Sequence, residues 1–201
     1  MNQMNFVIIG GFLGSGKTTL MLEFAKKLAS NDVKVGILVN DFGEVAIDGD
    51  TVSDYGMNAI EITKGCVCCE VKRDLVTQIR DLKNSYDPDL IVLETSGVAS
   101  LLPIHRTVQP YVNEIKTLTL IDISRYDKLI ERFEVVKNQL FSADLVVINK
   151  IDKASSDELK KAKKKISKFL KDENPGARII EASAKEGTKV DGIVNFIGES
   201  K

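Results

Sequence analysis

The sequence predicts a doubly wound α/β domain, a mainly parallel sheet with helices on both faces. Two patterns predict it. Seven short runs are nearly continuous in Val, Ile and Leu, as strands buried on both faces of a parallel sheet must be. Between them apolar residues recur every three or four positions, the period of an amphipathic helix. A third observation is a glycine-rich turn directly after the first run, where a strand passes into a helix.

The elements follow in order. "FVIIG" reads as a buried strand, and Leu20, Phe24 and Leu28 then line one face of a helix. "VKVGILVN" is a second strand and "NAIEIT" a weaker, alternating one. Val71, Leu75, Ile79 and Leu82 form the next helical stripe. "DLIVLE", "KTLTLID", "DLVVIN" and "ARIIEAS" complete the strands. Leu129, Phe133 and Val136, then Leu159, Ile166 and Phe169, then Val190, Ile193 and Ile197 give the remaining stripes. Neither a linker nor a repeat interrupts the pattern, so a single domain is expected over residues 1–201. The Lys-rich "ELKKAKKKISKFLKDENPG" reads as the solvated face of a helix.

The bulk composition narrows the function classes. A net charge of −1 over 201 residues gives no field that would attract nucleic acid or anionic lipid. No apolar run approaches the roughly 20 residues of a membrane span. The N-terminal "MNQMNFVIIGG" lacks a basic n-region and a cleavage pattern, so no signal peptide is expected. Three clustered cysteines do not make a disulfide framework and read as reduced thiols, which points to a cytoplasmic protein.

The glycine-rich turn carries chemistry. Gly11 to Thr18 fit G-x-x-x-x-G-K-[ST] in full, between a strand and a helix. Gly11, Gly14, Ser15 and Gly16 form a loop whose N–H groups, with the helix N-terminus, surround phosphates. Lys17 is expected to reach the β- and γ-phosphates, Thr18 to ligate Mg²⁺, and Thr19 to complete the nucleotide site. A later strand ends in "NKID". The carboxylate of Asp152 only accepts hydrogen bonds, and guanine offers it N1–H and an amino group where adenine presents an acceptor. The Lys150 stem can cover the base with its ammonium in water, and Asn149 shares the same strand end. Ser183, Ala184 and Lys185 in "EASAKEG" would supply backbone N–H groups to the base carbonyl. The ligand expected is GTP with Mg²⁺. "NKID" and "SAK" together disfavour a small-molecule kinase.

The ordered series "GGFLGSGKTTL", "VNDFGEVAIDG", "GCVCCEVKRDL", "LIVLETSGVASLLP", "NKID" and "EASAKEG" resembles the CobW-type metallochaperone GTPases, which are related to UreG, HypB and MeaB. The resemblance covers essentially the whole sequence. It implies a SIMIBI-like P-loop GTPase fold and a slow, GTP-hydrolysing switch that hands a transition metal to a client metalloprotein or cofactor-assembly enzyme. It implies that "NDFGEVAIDG" is the first switch, with Asp41 in the Mg²⁺ and water network and Glu44 a further metal candidate. "ETSG" takes the Walker-B place: Glu94 would hold Mg²⁺ through water, and Gly97 would offer its N–H to the γ-phosphate. Lys17, Asp41 and Glu94 are thus the catalytic candidates. Relatives often pair across the nucleotide, so a homodimer on GTP binding is among the expectations. The C-terminal domain usual in CobW-type proteins has no expected counterpart, nor has a His-rich tract, since His105 is the one histidine. His105 itself reads as a surface or helix-start residue.

All three cysteines fall in "GCVCC". Cys66 and Cys68 share a side if that segment is extended, and Cys69 falls where a helix begins, which favours thiolate. Thiolates select Zn²⁺ and related metals, so Zn²⁺ or Co²⁺ is expected, with Ni²⁺ a further option. Three thiolates leave a fourth position for water, Glu44, a second chain or a client. The competing reading is a GTPase chaperone of a cobalamin- or other cofactor-dependent enzyme that carries no metal. The cysteines favour the first reading.

Overall fold

The computed structural model describes residues 4–39, 57–61 and 70–199. Among them, seven parallel strands form one sheet in the order β3-β2-β4-β1-β5-β6-β7. The strands are β1 (Asn5–Gly11), β2 (Val35–Val39), β3 (Asn58–Glu61), β4 (Leu90–Glu94), β5 (Ile115–Asp122), β6 (Leu145–Asn149) and β7 (Arg178–Glu181). Each apolar run of the sequence is one of these strands.

Alternation along β1 explains why both faces must be apolar. Val7 and Ile9 join a core with Leu20, Phe24 and Leu28 of helix α1 (Lys17–Ala29) and Val190, Ile193 and Ile197 of α7 (Val190–Gly198). Phe6 and Ile8 point the other way, into Leu75, Ile79 and Leu82 of α2 (Glu70–Tyr86) and Leu101 and Val108 of α3 (Leu101–Val108). On that same face, farther along the sheet, Ile121, Val146 and Ile148 pack with Tyr126, Leu140 and Ile166. Those three come from α4 (Tyr126–Arg132), α5 (Glu134–Phe141) and α6 (Ser156–Glu173). Helix α6 starts on a reciprocal capping box: Ser155 Oγ accepts from the Glu158 N–H, and Glu158 Oε2 accepts from the Ser155 N–H.

Two helical expectations need correction. Leu129, Phe133 and Val136 do not form one stripe. Phe133 is extended, at φ −125° and ψ 109°, and separates α4 from α5. Its ring lies 4.8 Å from that of Phe12, so a tertiary contact overrides the local period. His105 lies in the last turn of α3 rather than at a helix start.

The topology places the site. From β1 the chain crosses to β2 on one side, and from β4 it passes back across β1 to β5. Ligands in open α/β sheets bind outside the strand carboxyl ends at such a reversal. The residues at those ends are Gly11, Glu94, Asp122 and Asn149.

Candidate functional site

The loop between β1 and α1 is held by glycines in conformations that other residues rarely adopt. Gly16, the N-cap of α1, has φ 93°, and a Cβ there would sit 2.5 Å from Asn149 Nδ2. Gly11 has φ 138°, and its Cβ would meet Leu120 O at 2.6 Å. Both positions therefore require glycine. Ser15 is 2% exposed, and its hydroxyl has no hydrogen-bond partner among the described residues. A buried donor of that kind in a ring of backbone amides suits an anion. Lys17 is buried in this loop, whereas Thr19 stands exposed at its edge.

Thr18 Oγ1 donates to Glu94 Oε1 at 2.8 Å. This contact joins the phosphate loop to the end of β4. Hydroxyl and carboxylate oxygens are hard donors, which is the set Mg²⁺ takes alongside water and phosphate. Gly14, Gly16, Lys17, Thr18, Thr19, Glu94 and Lys150 line one open cleft of about 370 Å³.

Asn149 ties the phosphate loop to the loop after β7. It is 1% exposed, its Nδ2 donates to Ser15 O at 2.8 Å, and its Oδ1 accepts from the Ala184 N–H at 3.0 Å. The Ser183 N–H donates to Thr188 O at 3.1 Å. Of the three amides expected to face a base, those of Ser183 and Ala184 thus hold the loop itself. The Lys185 N–H has no acceptor among the described residues. Ser183 Oγ donates to Asp152 Oδ1 at 2.5 Å. That bond, with the nearby Lys153 and Lys185 cations, holds the Asp152 carboxyl below its ordinary value. Asp152 is exposed, charged and aimed by Ser183, as an acceptor for a base edge should be.

The Lys150 side chain is one-quarter exposed, and its ammonium donates to Gly14 O at 2.5 Å and to Asp122 Oδ2 at 2.8 Å. The backbone makes this reach in a left-handed conformation, φ 63°, which costs a non-glycine residue about 1–2 kcal/mol. Asp122 was not legible as a site residue. Burial would raise its carboxyl, but bonds from Lys150 and from the hydroxyl and N–H of Ser124 outweigh that and hold it below the usual value. Arg125 was also missed: its Nη1 donates to Leu13 O at 3.2 Å, although 112 residues separate the two. No sequence spacing signals either contact.

Asp41, Glu44, Cys66, Cys68 and Cys69 lie outside the described residues. Among the described residues no group of three or more His, Cys, Asp or Glu side chains is arranged to hold a metal. No helix there is long and apolar enough to cross a membrane.

Comparison with known proteins identifies the family. The CobW/HypB/UreG nucleotide-binding domain profile matches residues 5–181. The chain belongs to this family. It is 30% identical over 196 residues to the zinc chaperone CobW of Sinorhizobium sp, covering 80% of this chain and 54% of that protein. It is 33% identical over 159 residues to the zinc chaperone YeiR of Escherichia coli K12, covering 75% of this chain and 47% of that protein. The crystal structure of the hydrogenase maturation factor HypB from Archaeoglobus fulgidus superposes with a TM-score of 0.69 at 26% identity, over 96% of this chain and 88% of that one. The chain spans about half the length of the curated relatives it matches. Family membership bears out the resemblance carried by the six sequence segments, and the HypB superposition bears out the P-loop GTPase-like α/β fold.

Proposed function

We propose that this chain is the GTP-binding and GTP-hydrolysing part of a metallochaperone. It would hold a transition metal at Cys66, Cys68 and Cys69 and pass it to a client metalloprotein or cofactor-assembly enzyme. One observation carries the nucleotide half. The Asn149 carboxamide bonds the phosphate loop with one end and the "SAK" loop with the other, so phosphate and guanine subsites have a fixed separation. The metal half is supported by the three clustered thiols and by relatives that are named zinc chaperones.

The residues divide the work. Backbone amides of Gly14 to Lys17 and the Lys17 ammonium bind the phosphates. The Lys150 bonds to Gly14 O and Asp122 stiffen that loop from the base side. Thr18 and Glu94, with Asp41, would hold Mg²⁺, which when bound neutralises developing phosphate charge. Glu94 also orients the Thr18 hydroxyl directly. Gly97, three residues beyond β4, would meet the γ-phosphate and so distinguish GTP from GDP. Intrinsic turnover is proposed to be slow. Glu44 and the cysteine thiolates would bind Zn²⁺ or Co²⁺, with Ni²⁺ a further candidate. The proposed setting is the cytoplasm, with a homodimer across the nucleotide.

Calorimetric titration with GTP and ATP, together with phosphate release, tests the nucleotide half. GTP should bind far more tightly than ATP, since a site built around base donors rejects the wrong base by about 10⁴-fold. Equal affinities would refute the base assignment. Asp152→Asn should weaken GTP and shift preference toward xanthosine triphosphate, whose ring presents a carbonyl where guanine has its amino group. An unchanged preference would remove Asp152 from the base site.

A further inference from the structure

The segment after β4 is gripped from two sides. In front, Gly97 lies against the phosphate loop so closely that a Cβ on it would be 2.5 Å from Leu13 N and 3.0 Å from Leu13 Cα. Behind, Gln139 of α5 donates its Nε2 to Ala99 O at 3.0 Å and to Gly97 O at 3.4 Å. Gln139 is 1% exposed, and its backbone carbonyl accepts from Thr119 Oγ1 of β5 at 2.9 Å. Its helix position is therefore fixed by the sheet.

The Gln139 amide is a poor device for stability. Its Oε1 is buried with no hydrogen-bond partner among the described residues. A buried acceptor left so costs about 1–3 kcal/mol. Burying a glutamine here rather than a methionine of similar shape therefore carries a cost in stability. What the amide alone supplies is a pair of N–H donors aimed at two carbonyls of one short loop.

We propose that Gln139 is a positioning residue for the γ-phosphate, holding residues 97–99 so that the Gly97 N–H meets GTP. The inference rests on the GTP-switch reading above. Gln139 touches no nucleotide. It acts through the loop, and it links that loop to α5, whose N-terminus adjoins the exposed Phe133 and its contact with Phe12. Removal of the γ-phosphate would thus be felt at the α4–α5 corner through one side chain. Binding of GDP, which has nothing to place against Gly97, should not depend on it.

The test is paired titration of GDP and guanosine 5′-[β,γ-imido]triphosphate, with GTP hydrolysis, in wild type, Gln139→Met and Gln139→Glu. Losing a donor that orders the loop lowers triphosphate affinity by about tenfold and lowers kcat, while GDP affinity stays within about twofold. Gln139→Glu, which keeps the shape but turns an acceptor toward the two carbonyls, should show the same selective loss and serves if the methionine variant folds poorly. Amide exchange of residues 97–99 should quicken in both variants. Equal loss of GDP and triphosphate in the Gln139 variants, or no change in either, would overturn the inference. Failure of the wild type itself to bind guanine nucleotides would instead overturn the parent reading.

Discussion

Lys17→Ala is expected to cut GTP turnover by about 10²–10³-fold, the usual loss when one fixed donor to transition-state charge is removed. The ammonium enters the cleft from the first residue of α1, beside the Thr18–Glu94 pair. In the proposed site its compact charge would answer the charge gathering between the β- and γ-phosphates, and an alanine would offer nothing there. The fold should survive: alanine is a strong helix former, and the apolar face of α1 is carried by Leu20, Phe24 and Leu28. Phosphate release together with circular dichroism checks both halves. A folded variant with wild-type turnover would remove Lys17 from the phosphate site.

Lys116→Met should destabilise the domain by about 3 kcal/mol, because it leaves helix-end carbonyls without a donor. Lys116 sits within β5 at 4% exposure, where the apolar pattern calls for a hydrophobic residue. Its Nζ donates to Phe196 O at 2.8 Å and Ile197 O at 3.1 Å, and also to the Glu199 carbonyl. These belong to the last turn and cap of α7, where carbonyls have no partner within the helix and where a cation meets the negative end of the helix dipole. Glu114 lies 3.6 Å away as a partial counter-charge. In a chain of this size such a loss lowers Tm by about 6–12 °C. A fall under about 2 °C in a thermal melt would mean that water serves the helix end as well as the ammonium does.

What could be read from the sequence follows from how local each signal is. Strands such as "IIG" and "LVVIN" announced themselves because a parallel sheet must be apolar on both faces. Gly11 and Gly16 were legible because backbone geometry constrains the residue at each place. Lys116, Asp122 and Gln139 look like ordinary polar positions. Their roles arise from partners 80, 28 and 40 residues away in sequence, and no spacing rule reaches that far. Helix α3 was missed because only Leu101 and Val108 of its eight residues are buried, too few to mark a stripe. The break at Phe133 was hidden by the opposite problem, an apolar spacing that suits a helix until Phe12 draws the ring away.

Coupling of a guanine nucleotide to zinc in this chain is tested most directly by a competition titration for zinc, with GTP–Mg²⁺, with GDP–Mg²⁺ and without nucleotide. Linkage requires that whatever factor GTP adds to metal affinity, metal adds to GTP affinity. The expected result is zinc held about 5–150-fold more tightly in the GTP state than in the GDP state. Replacing Cys66, Cys68 and Cys69 with serine should abolish tight zinc binding and spare GTP binding, since a serine hydroxyl is not ionised at neutral pH. Zinc affinity that is the same in all three nucleotide states would contradict a switch-controlled carrier and favour a GTPase chaperone that carries no metal.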